Sequence, residues 1–96
     1  MEKIKSYLKS AGLPAKMIEK KINDFAKHKD IADDFIYWIE NKRYKENGVK
    51  VADYSAKTIA SKSTLLNGLS VFTFLIQLRE NPDKAKSILN SQIHIK

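Results

Sequence analysis

Cysteine is absent from this 96-residue chain, and arginine, glycine and proline are scarce. Without cysteine the protein has no disulfide framework, no thiolate nucleophile and no zinc–thiolate site. The three glycines, Gly12, Gly48 and Gly68, stand apart from one another, so the sequence contains no glycine-rich phosphate-binding loop. These absences exclude several common enzyme classes and favour a fold that depends on its apolar core.

No apolar run is long enough to span a membrane, which requires about 20 such residues. The longest run, residues 65–78, is interrupted by polar residues and a glycine. On a helical projection its apolar side chains cover most of the circumference, and Ser70, Thr73 and Gln77 form a narrow polar stripe. Because such a helix is typical of a protein interior, we predict a central apolar helix at about residues 65–80.

Apolar residues recur at helical spacing through most of the remaining chain. Gly12 and Pro14 separate the first two helices, Asp30 is the expected N-cap of the third, and Asn81-Pro82 starts the last. The predicted helices are residues 2–11, 14–28, 31–42, a short helix capped by Ser55, the central helix, and residues 82–90. The fold class is therefore all-α, a single helical domain over residues 1–96 with five or six short helices around the central one.

Residues 44–53 form the least helical stretch of the sequence. Asn47-Gly48 is a tight-turn dipeptide, and Val49 and Val51 alternate with polar residues after it. The stretch is compatible with a short strand in a minor two-stranded β element. The alternating tail, residues 92–96, is the candidate partner strand, and a frayed tail is the alternative.

The widest apolar faces belong to the third helix and to the central helix. They predict a common core of Phe35, Trp38, Phe72, Leu75 and Ile76. The second helix is predicted to bury Met17, Ile18, Ile22 and Phe25.

The net charge is +7, and only Arg43 and Arg79 among the 18 basic residues are arginines. Arginine is the residue best suited to bidentate contacts with bases and phosphates. A lysine-rich chain is also typical of an AT-rich bacterial or phage genome. The charge is therefore compatible with a solvated surface and with a polyanionic partner.

Five residues are the candidate binding positions. Lys16, Lys20 and Lys27 share one arc of the second helix, which is either a solvated face or a surface for phosphates or an acidic protein. Tyr37 and Tyr44 are the aromatics predicted to be most exposed, and tyrosine is enriched at protein interfaces. The neighbouring acids of the third helix, which are Asp33, Asp34 and Glu40, predict an acidic surface around Tyr37 that suits a basic partner.

No residue pattern indicates catalysis. His28 and His94 are the only histidines, neither has the spacing of a metal site, and we expect both to be exposed to solvent. Asp30, Asp33 and Asp34 cluster where a helix begins, and helix capping explains them without acid–base chemistry. We therefore predict a protein that is not an enzyme, with no catalytic residue, no bound metal and no cofactor.

Residues 55–79 form two predicted helices joined by a polar turn, which looks like a degenerate helix-turn-helix. The second helix of such a motif presents polar side chains to base edges. Here it offers Ser70, Thr73 and Gln77 among apolar residues, so a packed helical hairpin is favoured.

The leading functional hypothesis is a small cytoplasmic helical protein that binds another macromolecule, first of all a protein partner. The N-terminal residues contain no apolar signal segment, so we expect no signal peptide and a cytoplasmic location, and the short apolar run predicts no membrane partner. A nucleic-acid-binding protein that uses the Lys-rich face or residues 55–79 is the alternative. A homodimer through excess apolar surface on the central helix is compatible with both.

Overall fold

The computed structural model describes residues 1–62 and 68–88, which form six helices and one two-stranded sheet. In chain order the elements are α1 (Glu2–Ser10), α2 (Ala15–Lys27), α3 (Lys29–Asn41), β1 (Lys50–Val51), β2 (Tyr54–Ser55), α4 (Ala56–Lys62), α5 (Gly68–Glu80) and α6 (Pro82–Ile88). α3 packs against α1, α2 and α5, and α5 packs against α3, α4, α6 and β1. The predicted helical bundle is confirmed, with these two helices at its centre.

α5 is the buried helix that the sequence predicts. Its buried apolar side chains are Val71, Phe72, Phe74, Leu75, Ile76 and Leu78. Of the polar stripe, Gln77 is exposed and the other two residues are half-buried. Residues 65–67 of the predicted helix lie outside the described residues. Within that described part, no helix is both long and apolar enough to cross a bilayer.

An aromatic cluster joins the two central helices. The ring of Phe35 lies 5.0 Å from that of Phe25, 5.1 Å from Phe72, 5.5 Å from Tyr7 and 6.2 Å from Trp38, measured between centroids. Such pairs stabilise a core by about 0.5–1.5 kcal/mol beyond their burial. Phe35 is fully buried at the middle of the cluster, so rings from α1, α2, α3 and α5 meet around one residue.

Trp38 is half-buried, and the prediction that it belongs to the buried core is wrong. The Lys42 ammonium lies 5.4 Å from the centroid of the Trp38 ring, and part of the ring is therefore covered by a charged side chain. The ring also lies against the start of α5. A Cβ on Gly68 would come within 2.6 Å of its atoms, so glycine permits this close approach.

The junction of α2 and α3 differs from the predicted one. α2 ends at Lys27 and α3 begins at Lys29, so His28 alone interrupts the helical backbone, with φ −132° and ψ 67°. His28 occupies the N-cap position, and its carbonyl accepts a hydrogen bond from the Ala32 N–H at 2.9 Å. Asp30 therefore lies in the first turn of α3 and is not its N-cap, because the short connection leaves no room for a longer turn.

The buried face of α2 is narrower than predicted. Ile18 and Phe25 are buried and Ile22 is half-buried, but Met17 is 48% exposed. α2 packs against α1 and α3 from one side, and a residue at the edge of its apolar arc stays in solvent.

The short strand has a local partner. β1 pairs antiparallel with β2, with Lys50 opposite Ser55 and Val51 opposite Tyr54. Ala52 and Asp53 both have positive φ, as the two central residues of a type I′ hairpin turn do. The partner strand thus follows β1 directly, and the tail at residues 92–96 lies outside the described residues.

The segment before this hairpin is tied to α3 by a buried carboxylate. Asp34 is 5% exposed, and its Oδ2 accepts a hydrogen bond from the Val49 N–H at 2.7 Å. A Cβ on Gly48 would overlap the same carboxylate, so the turn approaches α3 closely only because residue 48 is glycine. The bond fixes where residues 42–49 cross the end of α3.

Candidate functional site

Both tyrosines predicted from the sequence line one cleft of about 400 Å³ at the C-terminal end of α3. The complete lining, which we call the cation–tyrosine cleft, is Tyr37, Lys42, Arg43, Tyr44, Glu46 and Lys57. α3 contributes the first residue, the segment after α3 contributes four, and α4 contributes the last. Three cations and one carboxylate therefore share a concave surface with two tyrosines.

The backbone at Lys42 shapes one wall of the cleft. Lys42 ends α3 in the left-handed conformation, with φ 58° and ψ 31°, and its N–H donates to the Trp38 carbonyl at 2.7 Å. Glycine usually occupies this position, because a Cβ is disfavoured there. The turn directs the chain across the end of the helix, so Arg43 and Tyr44 reach the same cleft as Tyr37.

The faces of the two tyrosine rings are already partly covered. Tyr44 lies 6.2 Å from the Trp38 ring and 5.9 Å from the Phe72 ring, and the Lys45 ammonium lies 5.9 Å from the centroid of Tyr37. Both tyrosines are half-buried, which is less exposure than the sequence predicted. Burial, together with the nearby Tyr7, raises the pKa of Tyr44, so its hydroxyl stays protonated at neutral pH.

The cleft contains one internal ion pair. The Lys57 ammonium donates to both carboxylate oxygens of Glu46, and both side chains are exposed. These bonds and the Lys57 charge lower the pKa of Glu46, and Arg43 lowers it further. Because the charges of Glu46 and Lys57 offset each other, Lys42 and Arg43 give the cleft a net positive charge.

The acidic surface expected around Tyr37 is not formed. Asp34 is buried and bound to the Val49 N–H, and Glu40 is paired with Lys3 of α1. Asp33 stays exposed. The charged groups that line the cleft beside Tyr37 are mainly basic, so the acidic surroundings on which the expectation of a basic partner rested are absent there.

The lysines of α2 form a separate surface. Lys16, Lys20 and Lys27 are all exposed, and none of them lines the cleft. Their positions on α2 distribute them over about 16 Å of helix at 1.5 Å per residue. The structure therefore divides the five candidate residues into a tyrosine pair that converges and a lysine arc that stands apart.

His28 is mostly enclosed, and the expectation that it is solvent-exposed is wrong. Its side chain is 11% exposed, with Nε2 3.0 Å from a Glu80 carboxylate oxygen and Nδ1 3.5 Å from Arg79 Nη1. The α2–α3 junction is thereby joined to the end of α5. Among residues 1–62 and 68–88, no group of three His, Asp or Glu side chains is placed to hold a metal ion. His94 lies outside this range.

Arg79 and Asp30 form a bidentate ion pair that should make stability depend on pH. Arg79 donates at 2.8 and 2.7 Å to the two carboxylate oxygens, and this lowers the pKa of Asp30 from 3.8 to about 2. Because the folded pKa lies below the unfolded one, the stabilisation is present above about pH 4 and is lost as the pH falls through about 2. Asp30 is half-exposed, so we expect at most about 1 kcal/mol.

The measurement is urea unfolding of wild type and Arg79→Gln from pH 5 to pH 2. The variant should be less stable at pH 5, and the difference should shrink toward pH 2. Arg43→Gln is the matched control, since it removes the same charge from the other arginine. A difference between wild type and Arg79→Gln that is constant with pH would contradict the assignment.

Four cleft residues were missed by the sequence analysis. Lys42, Arg43 and Glu46 flank Tyr44, and this basic run beside an aromatic residue was a signal that could have been used. Lys57 could not be found in this way, because it reaches the cleft only when α4 packs behind the hairpin.

No protein-family model matches the chain, and searches of curated proteins and of solved structures found no match either. The function is therefore inferred from the geometry of this chain itself.

Proposed function

We propose that this protein is a small non-catalytic helical protein that binds another protein through an acidic segment held in the cation–tyrosine cleft. The observation that carries the proposal is the convergence of Tyr37 and Tyr44 with three cations from two separate parts of the chain. Tyrosine and arginine are both enriched at protein interfaces, and charge complementarity speeds association and selects partners.

The covered ring faces favour a protein over a single-stranded nucleic acid. Base binding by stacking requires a free aromatic face. The Tyr44 ring lies tilted against the rings of Trp38 and Phe72, and the Lys45 ammonium lies over Tyr37. Carboxylate side chains need only the ammonium, guanidinium and hydroxyl groups, which the cleft supplies without rearrangement of the rings.

The assignment as non-catalytic is supported by what the candidate acid–base residues do. Asp30 is held by Arg79, and Asp34 binds a backbone N–H. Each carboxylate has a structural partner and lies outside the lining of the cleft. These two carboxylates are therefore held by structural contacts and are not presented to a ligand in the cleft.

A nucleic-acid-binding function is the second candidate, and the exposed lysine arc of α2 is the observation that favours it. Backbone phosphates are contacted by such lysines without sequence selectivity. The helix-turn-helix version has less support, because α5 buries most of its surface and Gln77 is the one exposed residue of its predicted polar stripe. The homodimer hypothesis also loses its basis, since the apolar faces of α5 are covered within a single chain.

The test is a fluorescence-anisotropy titration at about 150 mM salt with fluorescein-labelled decaglutamate, and with decaglutamine as the neutral probe. Wild type should bind decaglutamate saturably and decaglutamine at least tenfold more weakly. Arg43→Glu with Lys57→Glu should weaken decaglutamate binding at least tenfold, because two of the three cleft cations are reversed.

Lys16→Glu with Lys20→Glu is the matched control, since it changes the net charge by the same amount on α2. We expect it to change the affinity less than threefold. Equal losses of affinity in the two double variants would show that the binding depends only on net charge, and this would overturn the proposal. Tight binding of duplex or single-stranded DNA or RNA that is lost when Lys16, Lys20 and Lys27 are all changed to Glu would support the second candidate instead.

A further inference from the structure

Glu46 holds a cleft cation with the same chemical group that an acidic partner would present. Its two carboxylate oxygens both accept from the Lys57 ammonium, and the side chains are 72% and 54% exposed, respectively. The two residues come from different elements, since Glu46 lies in the segment after α3 and Lys57 lies in α4. Within residues 1–62 and 68–88, the other two cleft cations, Lys42 and Arg43, have no such bidentate carboxylate.

Lys57 is the better fixed member of this pair. It occupies the first turn of α4, where the Ser55 Oγ accepts a hydrogen bond from the Thr58 N–H at 3.1 Å and caps the helix. Glu46 belongs to neither a helix nor a strand. The backbone of Lys57 is therefore fixed by the helix, and the exposed Glu46 side chain can turn into water.

Exchange of one carboxylate for another on Lys57 is energetically easy. An exposed ion pair contributes little to stability, because both groups are well hydrated when separated. The ammonium would keep a carboxylate partner throughout, and the released Glu46 would be fully solvated. A partner segment that carries several acidic residues could also bind Lys42 and Arg43. Its binding would therefore be stronger than that of Glu46, whose bidentate contact is with Lys57 alone.

We infer that the Lys57 ammonium is the subsite for a carboxylate of the acidic partner, and that Glu46 occupies this subsite in the free protein until the partner displaces it. The inference rests on the proposed function and specifies where in the cleft the partner is bound. Glu46 is thus an internal competitor that makes the cleft selective for segments with several acidic residues.

The test is the affinity of Glu46→Gln for fluorescein-labelled decaglutamate at about 150 mM salt. Removing the competitor should raise the affinity about three- to fivefold, because an exposed ion pair is formed only about two to four times as often as it is broken. Glu19→Gln is the matched control, because Glu19 is an exposed acid on α2 outside the cleft and its loss changes the net charge equally. It should change the affinity less than 1.5-fold.

A double-mutant cycle separates this competition from a general charge effect. In a Lys57→Met background, Glu46→Gln should no longer raise the affinity, since the subsite is gone. Equal gains for Glu46→Gln and Glu19→Gln, or a gain that persists without Lys57, would overturn the inference. The proposed function would survive that result if Arg43→Glu with Lys57→Glu still weakened binding at least tenfold, and it would fail if wild type and Glu46→Gln both bound no decaglutamate.

Discussion

Replacement of Leu75 by alanine should lower the free energy of unfolding by about 2–5 kcal/mol, the usual range for a buried leucine. Leu75 is fully buried in α5, in the same cluster as Phe72 and Ile76. The cost has two parts, the lost transfer of the side chain from water and the cavity left behind. α5 packs against α3, α4 and α6, so relaxation of the walls would require several helices to move together.

The measurement is urea unfolding at neutral pH, followed by circular dichroism. Gln77→Ala is the matched control, because Gln77 lies two residues along the same helix and is exposed. We expect it to change the stability by no more than about 0.5 kcal/mol. A loss below about 1 kcal/mol for Leu75→Ala would mean that α5 is not the buried centre of the fold.

Replacement of Asp34 by alanine should lower the free energy of unfolding by about 1–3 kcal/mol. The substitution leaves the Val49 N–H without its carboxylate acceptor in a partly buried position, and an unsatisfied buried donor carries a cost of this size. Asp34→Asn keeps an acceptor oxygen and should have a smaller effect. Since Asp34 anchors the segment that carries Tyr44 and Glu46, the alanine variant should also weaken decaglutamate binding to the cleft.

Asp33→Ala is the control for this experiment, because Asp33 is the neighbouring aspartate of α3 and is exposed. Both variants remove one negative charge, so any difference between them reports the buried hydrogen bond. Urea unfolding measures the stability, and the anisotropy titration measures the affinity. Equal stabilities of Asp33→Ala and Asp34→Ala would show that the bond from Val49 does not hold the segment against α3.

Hydropathy periodicity, together with the residues that begin and end helices, was enough to predict the helices and the identity of the central one. The i, i+1, i+4, i+5 spacing of Val71, Phe72, Leu75 and Ile76 indicates a buried helix whatever surrounds it, because a helix with so few polar positions has little polar surface to expose. The Ser55 cap was predictable for a similar reason. Its hydroxyl oxygen accepts a hydrogen bond from the N–H of Thr58, only three residues along the chain, so the contact depends on local sequence alone.

Exposure at the edges of helices was decided by packing. Met17 and Ile18 are adjacent in the apolar arc of α2, yet one is exposed and the other is buried, because α1 and α3 cover one side of the helix. The sequence predicts Trp38 as a core residue, but its ring lies at the edge of the aromatic cluster, beside the Lys42 ammonium, and is half-buried. Periodicity places a residue on a face, and the position of the neighbouring helices then determines how far its burial extends.

The partners of the charged side chains were determined almost entirely by the tertiary structure. Asp34 and Glu40 look like an acidic surface on a helical projection, but a loop N–H and a lysine of α1 take them as partners. Lys57 lies 13 residues beyond Tyr44, and only the hairpin and α4 bring both to one cleft. The sequence by itself thus determined the helices and the buried centre, whose signals are local and periodic. The tertiary structure decided which charges meet, because Coulomb interactions depend on distances between residues remote in the chain.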